Sequence, residues 1–93
     1  MIVGVLSLDI HILNSLSLKD KRMVLNHIKD RVKNKFNVSV AEIDYQDKWQ
    51  RSLIGIALVT SQKGYAEQVL NKIFHLLDTD DYFEIVQYSI EYK

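Results

Sequence analysis

Residues 36–60, FNVSVAEIDYQDKWQRSLIGIALVT, decide the fold. Between residues 38 and 45 apolar and polar side chains alternate, and residues 52–60 are almost continuously apolar; both patterns are typical of β-strands. The polar run Gln46-Asp47-Lys48 between them indicates a turn. The stretch therefore predicts two strands that follow one another without a helix between them.

On each side of this stretch the pattern changes to helix and then returns to strand. Apolar residues recur at helical spacing over residues 18–36 and again over residues 66–77, which predicts two amphipathic helices. Residues 2–12 and 83–92 alternate with a period of two and predict the first and the last strand of the chain.

The first helix carries signals at both ends. Ser17-Leu18-Lys19-Asp20 is typical of a helix start, with Ser17 as the N-cap and Asp20 near the positive end of the helix dipole. At the other end, Asn37 is expected to adopt the left-handed conformation that often terminates a helix. The predicted helix therefore ends at Phe36.

The predicted order of elements, β-α-β-β-α-β, specifies an α+β fold. Two βαβ halves with right-handed crossovers form a four-stranded antiparallel sheet with both helices on one face, a ferredoxin-like sandwich. No linker or low-complexity tract interrupts the chain, so residues 1–93 make a single domain. Because no helix covers the other face, Val3, Val5 and their neighbours leave apolar surface there, which predicts a homodimer or a larger homo-oligomer.

The composition of the chain indicates the compartment in which the protein is expected and the kinds of partner it can have. The chain has no cysteine, which fits a reducing compartment, and no apolar run approaches the roughly 20 residues of a membrane span. The apolar residues 1–6 lack a basic region and a cleavage site, so they indicate a strand rather than a signal peptide. We therefore expect a cytoplasmic protein without a membrane partner.

The formal net charge is zero, but the charges are unevenly distributed. Residues 18–36 hold seven lysines or arginines and two aspartates, whereas residues 78–93 hold five acidic residues and one lysine. The neutral total argues against indiscriminate nucleic-acid binding, and no sequence-specific DNA binding is expected. The basic stretch nevertheless leaves a local nucleic-acid contact open.

One side of the first helix is basic. At about 100° per residue, five polar side chains fall within roughly 80° of one another beside the apolar face: Lys19, Arg22, Asn26, Lys29 and Lys33. Only one carboxylate, that of Asp30, lies close to them. Two interpretations stay open: a solvated helix face, or four cations that follow phosphates over about 20 Å.

A second candidate site begins in the second strand and continues through the turn: Glu42, Asp44, Asp47, Trp49, Gln50 and Arg51. Glu42 and Asp44 are expected on one strand face, about 7 Å apart, where they can bind a divalent cation or pair with nearby cations. Trp49 and Arg51 are candidate nucleic-acid contacts, Trp49 by stacking on a base, although tryptophan also serves as a packing anchor or interface hot spot. Asp47 and Gln50, with the two strand carboxylates, are candidate partner or ligand contacts.

The sequence contains no clear catalytic arrangement. His11 shares a strand face with Asp9, as a base and its orienting carboxylate do, but no nucleophile is obviously placed opposite. The three glycines are isolated, and the first turn lacks the glycine-rich loop and arginine of acylphosphatases, which share the ferredoxin-like fold. We therefore expect no enzyme, no cofactor and no metal.

Three stretches resemble a known family: residues 1–6 (MIVGVL), residues 15–22 (SLSLKDKR) and the run from Phe36 to Arg51. Together they resemble the YlxP-like family of small bacterial proteins, and the resemblance covers the whole chain. It implies a ferredoxin-like fold and a bacterial source. Because genes of that family often lie beside translation-initiation and ribosome-maturation genes, it also implies an RNA- or ribosome-linked role. It implies no catalytic residues.

These observations predict a small cytoplasmic binding protein that is non-enzymatic, dimeric and associated with RNA or the ribosome. In this interpretation the basic helix contacts phosphates, and residues 45–51 supply specific contacts. The alternative is an oligomeric ligand-binding or protein-interaction module that uses the open sheet face. A third possibility is a metal-dependent hydrolase built on Glu42, Asp44 or Asp47.

Overall fold

The computed structural model describes residues 1–93 and has the predicted order of elements. The elements are β1 (Ile2–Ile12), α1 (Leu18–Lys33), β2 (Ser39–Asp44), β3 (Arg51–Thr60), α2 (Lys63–Asp78) and β4 (Phe83–Tyr92). The strands form one antiparallel sheet in the order β2-β3-β1-β4. Both helices bury their apolar sides against one face of this sheet, which confirms the ferredoxin-like prediction. Neither helix has the length and apolar content needed to cross a membrane.

The core lies between that sheet face and the helices. Alternate residues of β1 from Leu6 to Ile12 are buried, because a strand turns every second side chain to the same face. α2 approaches β1 closely at Gly4, where an added Cβ would lie 3.1 Å from Leu70 Cδ1 and 3.3 Å from Ala66 Cβ. The missing side chain therefore lets α2 pack directly on the central part of the sheet.

The start of α1 is as predicted, and its end is not. The Ser17 side chain accepts a hydrogen bond from the Asp20 amide at 3.0 Å, and the Asp20 carboxylate accepts one from the backbone four residues earlier. The helix ends at Lys33, and Asn37 is not left-handed. The prediction for Asn37 is wrong because the last turn closes in a right-handed conformation, with the Val32 carbonyl accepting from two later amides.

A bulge in β4 changes which of its side chains face the core. Ile85 and Gln87 pair with consecutive residues of β1, so Val86 between them is an unpaired bulge residue. Strict alternation predicts Ile85 and Tyr88 on opposite faces. The extra residue places both on the helix side, where the Tyr88 and Phe74 ring centroids lie 4.3 Å apart.

The sheet face away from the helices, here called the open face, is uncovered as predicted. Its β2, β3 and β1 part carries charged residues near the start of β3, namely Asp9, Asp44 and Arg51. The same part carries eight apolar residues or glycines: Val3, Val5, Ala41, Ile43, Leu53, Gly55, Ala57 and Val59. Ile43 lies over Gly55, since an added Cβ there would come within 2.9 Å of Ile43 Cγ1. Val59 is 66% exposed, so the face retains apolar surface that no part of the chain covers.

Candidate functional site

Three turns meet at one end of the sheet, because β1 and β2 end where β3 and β4 begin. They connect β1 to α1, β2 to β3 and α2 to β4. The first turn is bonded to the other two. Leu13 N donates to the Tyr82 carbonyl at 3.1 Å, and the Gln50 side-chain amide donates to the Ser15 carbonyl at 3.0 Å. We call this region the turn end.

Lys21 holds the β2–β3 turn against α1. It is 2% exposed, and its Nζ donates to the carbonyls of Tyr45 at 2.6 Å and Lys48 at 2.7 Å. The third partner is Glu42, whose Oε2 lies 2.8 Å from Nζ. Three acceptors match the three N–H groups of an ammonium, so this buried charge is fully hydrogen-bonded.

The sequence interpretation counted Lys21 only as part of the basic stretch and missed this role. The signal lies in its helical spacing, because Lys21 precedes Leu25, Ile28 and Val32 by four, seven and eleven residues and shares their buried side. A lysine in a core-facing position needs buried acceptors. Here the β2–β3 turn and Glu42 supply them.

The structure separates Glu42 from Asp44, which the sequence places on one strand face. A register shift lies between them, so one residue of β2 is extra relative to β3. Glu42 faces the helices, where it pairs with Lys21 and accepts a hydrogen bond from Ser52 Oγ at 2.6 Å. Asp44 pairs with Leu53, a residue of the open face, and its Oδ1 accepts from the next backbone amide at 2.7 Å. The prediction of a shared carboxylate face is wrong, and the structure groups no three acidic or histidine side chains that could hold a metal ion.

Arg51, a candidate nucleic-acid contact, is engaged within the protein. Its guanidinium donates to the two carboxylate oxygens of Asp9, at 2.8 and 3.2 Å, and lies 4.1 Å from the centre of the Tyr45 ring. The hydrogen bond to Asp9 raises the pKa of Arg51 above its ordinary value. Tyr45 has a φ of 64°, and this left-handed residue turns the chain out of β2. Nucleic-acid binding by Arg51 stays a prediction, but the guanidinium already has partners.

Trp49 lies on the same turn and is 52% exposed. It lines a shallow concavity at the turn end together with His11, Asp47, Lys48, Gln50 and Arg51. Four of these side chains belong to the predicted site, whereas Glu42 and Asp44 lie outside the concavity. The structure thus brings together the later part of the predicted cluster and leaves out its beginning.

Four cations occupy the outer flank of α1, and we call them the basic stripe: Lys19, Arg22, Lys29 and Lys33. Lys29 is partly buried, the other three are exposed, and none of the four forms an ion pair. The stripe extends over about 21 Å at 1.5 Å per residue. The remaining two cations of α1, Lys21 and Arg31, are both paired with carboxylates.

The opposite flank of α1 binds the α2–β4 turn through Asp80, whose side chain is 2% exposed. Asp80 Oδ2 accepts hydrogen bonds from His27 Nε2 and Arg31 Nη1, each at 2.7 Å, and Oδ1 accepts from the Tyr82 amide at 2.9 Å. Burial raises the pKa of Asp80, but these hydrogen bonds outweigh burial and hold the pKa below its ordinary value of 3.8. The sequence interpretation missed this contact, because at least 49 positions separate Asp80 from its partners on α1.

Two solved structures illustrate the fold. A de novo designed protein with a ferredoxin fold has a TM-score of 0.47 at 9% identity, and the alignment covers 100% of this chain and 84% of that one. A dimeric ferredoxin-like protein from an uncultured marine organism has a TM-score of 0.40 at 12% identity, with 98% of this chain and 92% of that one covered. These similarities concern the fold alone.

Sequence comparison identifies the family. The family described as "Protein of unknown function (DUF503)" matches residues 3–90. The Bacillus subtilis (strain 168) protein described as "Uncharacterized protein YlxP" is 51% identical over 63 residues, which make up 68% of each chain. The resemblance seen in the sequence is therefore confirmed, and the chain belongs to the YlxP-like family of proteins of unknown function, DUF503.

Proposed function

We propose that this protein is a non-enzymatic, cytoplasmic RNA-binding protein that contacts RNA, free or within the ribosome, through the basic stripe. One observation carries the proposal: α1 divides its cations into two that have carboxylate partners and four that have none. The chain has as many acidic as basic residues, so carboxylates are not scarce. Four neighbouring cations without partners therefore favour an external anion.

The arrangement suits a phosphate backbone. The four cations lie in line over about 21 Å, and their long side chains can adjust to phosphates along a nucleic-acid strand. Each phosphate that they neutralise releases condensed counterions, which makes the binding sensitive to salt. The choice of RNA over DNA is supported by the resemblance to a family whose genes often lie beside translation genes.

The test is RNA binding at several salt concentrations, measured by fluorescence anisotropy and by co-sedimentation with ribosomal subunits. If four phosphates are neutralised, log Ka should fall against log salt with a slope of about −3 for a single strand. A flat salt response would reject the basic stripe as the site.

A pair of charge reversals provides the variant test. Lys29→Glu with Lys33→Glu should abolish RNA binding, because half of the stripe becomes repulsive toward phosphate. Lys63→Glu with Lys72→Glu, on α2, changes the net charge of the protein by the same amount and should leave RNA binding nearly intact. Equal losses in the two variants would show that only the net charge matters.

A second candidate function is self-association through the open face, and the eight uncharged residues of that face favour it. Interface cores are depleted in charged residues, and these eight residues are uncharged, while the charged Asp9, Asp44 and Arg51 of the same face lie at the turn end. The four strands are spaced about 4.8 Å apart and are 6 to 11 residues long, so together they span about 600 Å². That area approaches the roughly 800 Å² per partner of a standard interface. A second copy of the chain is therefore the occupant that we propose.

Sedimentation velocity at micromolar concentration tests this association. Val59→Lys places a charge within the proposed contact and should convert a dimer into a monomer. Met23→Lys is the matched control, because Met23 is 64% exposed but lies on α1. A wild-type monomer at these concentrations would reject the proposed dimer.

A further inference from the structure

Trp49 is an exposed aromatic side chain on a turn that is held firmly in place. Lys21 bonds the carbonyls on either side of the turn's tip, those of Tyr45 and Lys48. Gln50 accepts a backbone bond from Ile12 and donates its side-chain amide to Ser15. The turn is therefore fixed at both ends while its largest side chain is left half in water. A preorganised aromatic group of this kind loses little conformational entropy when it binds a partner.

The same lysine joins this turn to the helix that carries the basic stripe. Lys21 lies on α1 between Lys19 and Arg22, and its Nζ reaches the carbonyl of Lys48, the residue before Trp49. The buried ammonium of Lys21 thus fixes the backbone next to Trp49 to the helix that carries the stripe. The stripe and the tryptophan therefore belong to two elements, α1 and the β2–β3 turn, that are bonded directly to each other.

We infer that Trp49 is a stacking platform for one unpaired base of an RNA whose phosphates lie along the basic stripe. This inference rests on the proposed function and adds a substrate class: single-stranded RNA, or a duplex with a single-stranded end. Bases within a continuous duplex are stacked on one another and cannot offer a face to an indole ring. Stacking on an aromatic side chain tolerates any base, so little sequence preference is expected.

The charges beside Trp49 agree with a base rather than a phosphate at this position. Asp47 and Lys48 precede it and carry opposite charges, while Arg51 already pairs with Asp9. The concavity around Trp49 therefore has little net attraction for an anion. The cationic stripe supplies that attraction, and Trp49 adds contact with the uncharged face of a base.

Trp49 is the only tryptophan of the chain, so its intrinsic fluorescence reports directly on this contact. The experiment titrates the full chain with three RNA probes: a single strand, a blunt duplex of the same sequence, and that duplex with a short single-stranded end. The single strand and the tailed duplex should quench the fluorescence, and the blunt duplex should not. Anisotropy measured on the same samples gives the affinities.

Variants then separate stacking from a structural role. Trp49→Ala should weaken binding of the single strand roughly tenfold or more and leave binding of the blunt duplex unchanged, whereas Trp49→Phe should restore most of the loss. Tyr65→Ala, at a 55% exposed aromatic on α2, is the matched control and should change nothing.

The outcomes distinguish this inference from the proposed function. Equal binding of single strand and blunt duplex, unaffected by Trp49→Ala but sensitive to salt, would overturn the stacking inference and leave the basic stripe in place. No salt-sensitive binding of any probe would overturn both. A change in sedimenting mass with Trp49→Ala and no change in RNA affinity would assign Trp49 to a protein contact and also overturn the inference.

Discussion

On one flank of α1, His27 and Arg31 bind the buried carboxylate of Asp80; on the other, the four cations of the basic stripe form no ion pair. The two flanks belong to the same helix and carry the same kinds of side chain. Paired cations that face the protein fix the helix to its neighbours. Unpaired cations in a row repel one another, so they contribute nothing comparable to the fold. The difference separates the residues that build this protein from those that are available to a ligand.

The largest loss of stability is expected from substitution of Lys21, the most buried of the paired cations. Lys21→Met removes all three bonds of the ammonium and leaves the Glu42 carboxylate without its charged partner. Breaking a buried pair in this way costs about 3–5 kcal/mol. Urea denaturation should therefore show a large loss in the free energy of unfolding. Lys19→Met, two positions away on the stripe, should change it by no more than about 0.5 kcal/mol.

A double variant tests whether the pair explains the loss. Glu42→Leu added to Lys21→Met removes the uncompensated charge, so part of the lost stability should return. The recovery is expected to be partial, because the carbonyls of Tyr45 and Lys48 still lack the donor that Lys21 gave them. A double variant no more stable than Lys21→Met alone would show that the turn contacts, not the ion pair, account for the loss.

The next largest loss of stability is expected at Asp80, through which the α2–β4 turn binds the opposite flank of α1. Asp80→Asn weakens the bonds to His27 and Arg31, and hydrogen bonds to charged groups are worth about 1.5–3 kcal/mol each. We expect a loss of stability at pH 7 of about that size. Asp81→Asn, an exposed neighbour outside these contacts, is the control.

The lowered pKa of Asp80 also predicts how the stability of the protein depends on pH. Its pKa in the folded protein lies below the ordinary value of 3.8, so its ionised form stabilises the fold above that pH. As the pH falls from 3.8 toward the lower folded-state pKa, the unfolded chain takes up the proton first and this stabilisation is lost. The difference in unfolding free energy between wild type and Asp80→Asn should therefore shrink below pH 3.8. A difference that stays constant down to the acid transition would contradict the assignment of this carboxylate.

The elements of the fold could be predicted from the sequence because each is encoded locally. Period two marks the strands, helical spacing marks the helices, and Ser17 marks a helix start that the structure confirms. The two βαβ halves then leave few topologies to choose from. The open face follows as well, since two helices can cover only one side of a four-stranded sheet when both crossovers have the same hand.

The site could be predicted only in part, because its decisive contacts join distant residues. The bulge between Glu42 and Asp44 depends on how β2 meets β3, with Ile43 lying over Gly55, and no local period reports it. Lys21 carries a weak signal, a charged side chain at a core-facing position. Its acceptors lie 21 to 27 positions away and cannot be identified without the fold.

The smallest expected effect is the change in the free energy of unfolding caused by Lys29→Glu. This change tests most directly the difference between the two flanks of α1. Lys29 and Lys33 are like charges four positions apart, an arrangement that destabilises a helix slightly. Lys29→Glu replaces this repulsion with a favourable pair, because an acidic residue N-terminal to a lysine at this spacing adds about 0.2–0.5 kcal/mol.

Lys29→Glu should therefore raise the free energy of unfolding while it weakens RNA binding, and Lys29→Gln should do less of both. Urea denaturation and anisotropy on the same preparations measure the two changes. Opposite signs would mean that the wild-type lysine lowers stability and strengthens RNA binding, as expected of a ligand contact. If the variant is more stable and binds RNA as well as wild type does, the stripe is a solvated helix face, and the contrast between the two flanks is one of packing alone.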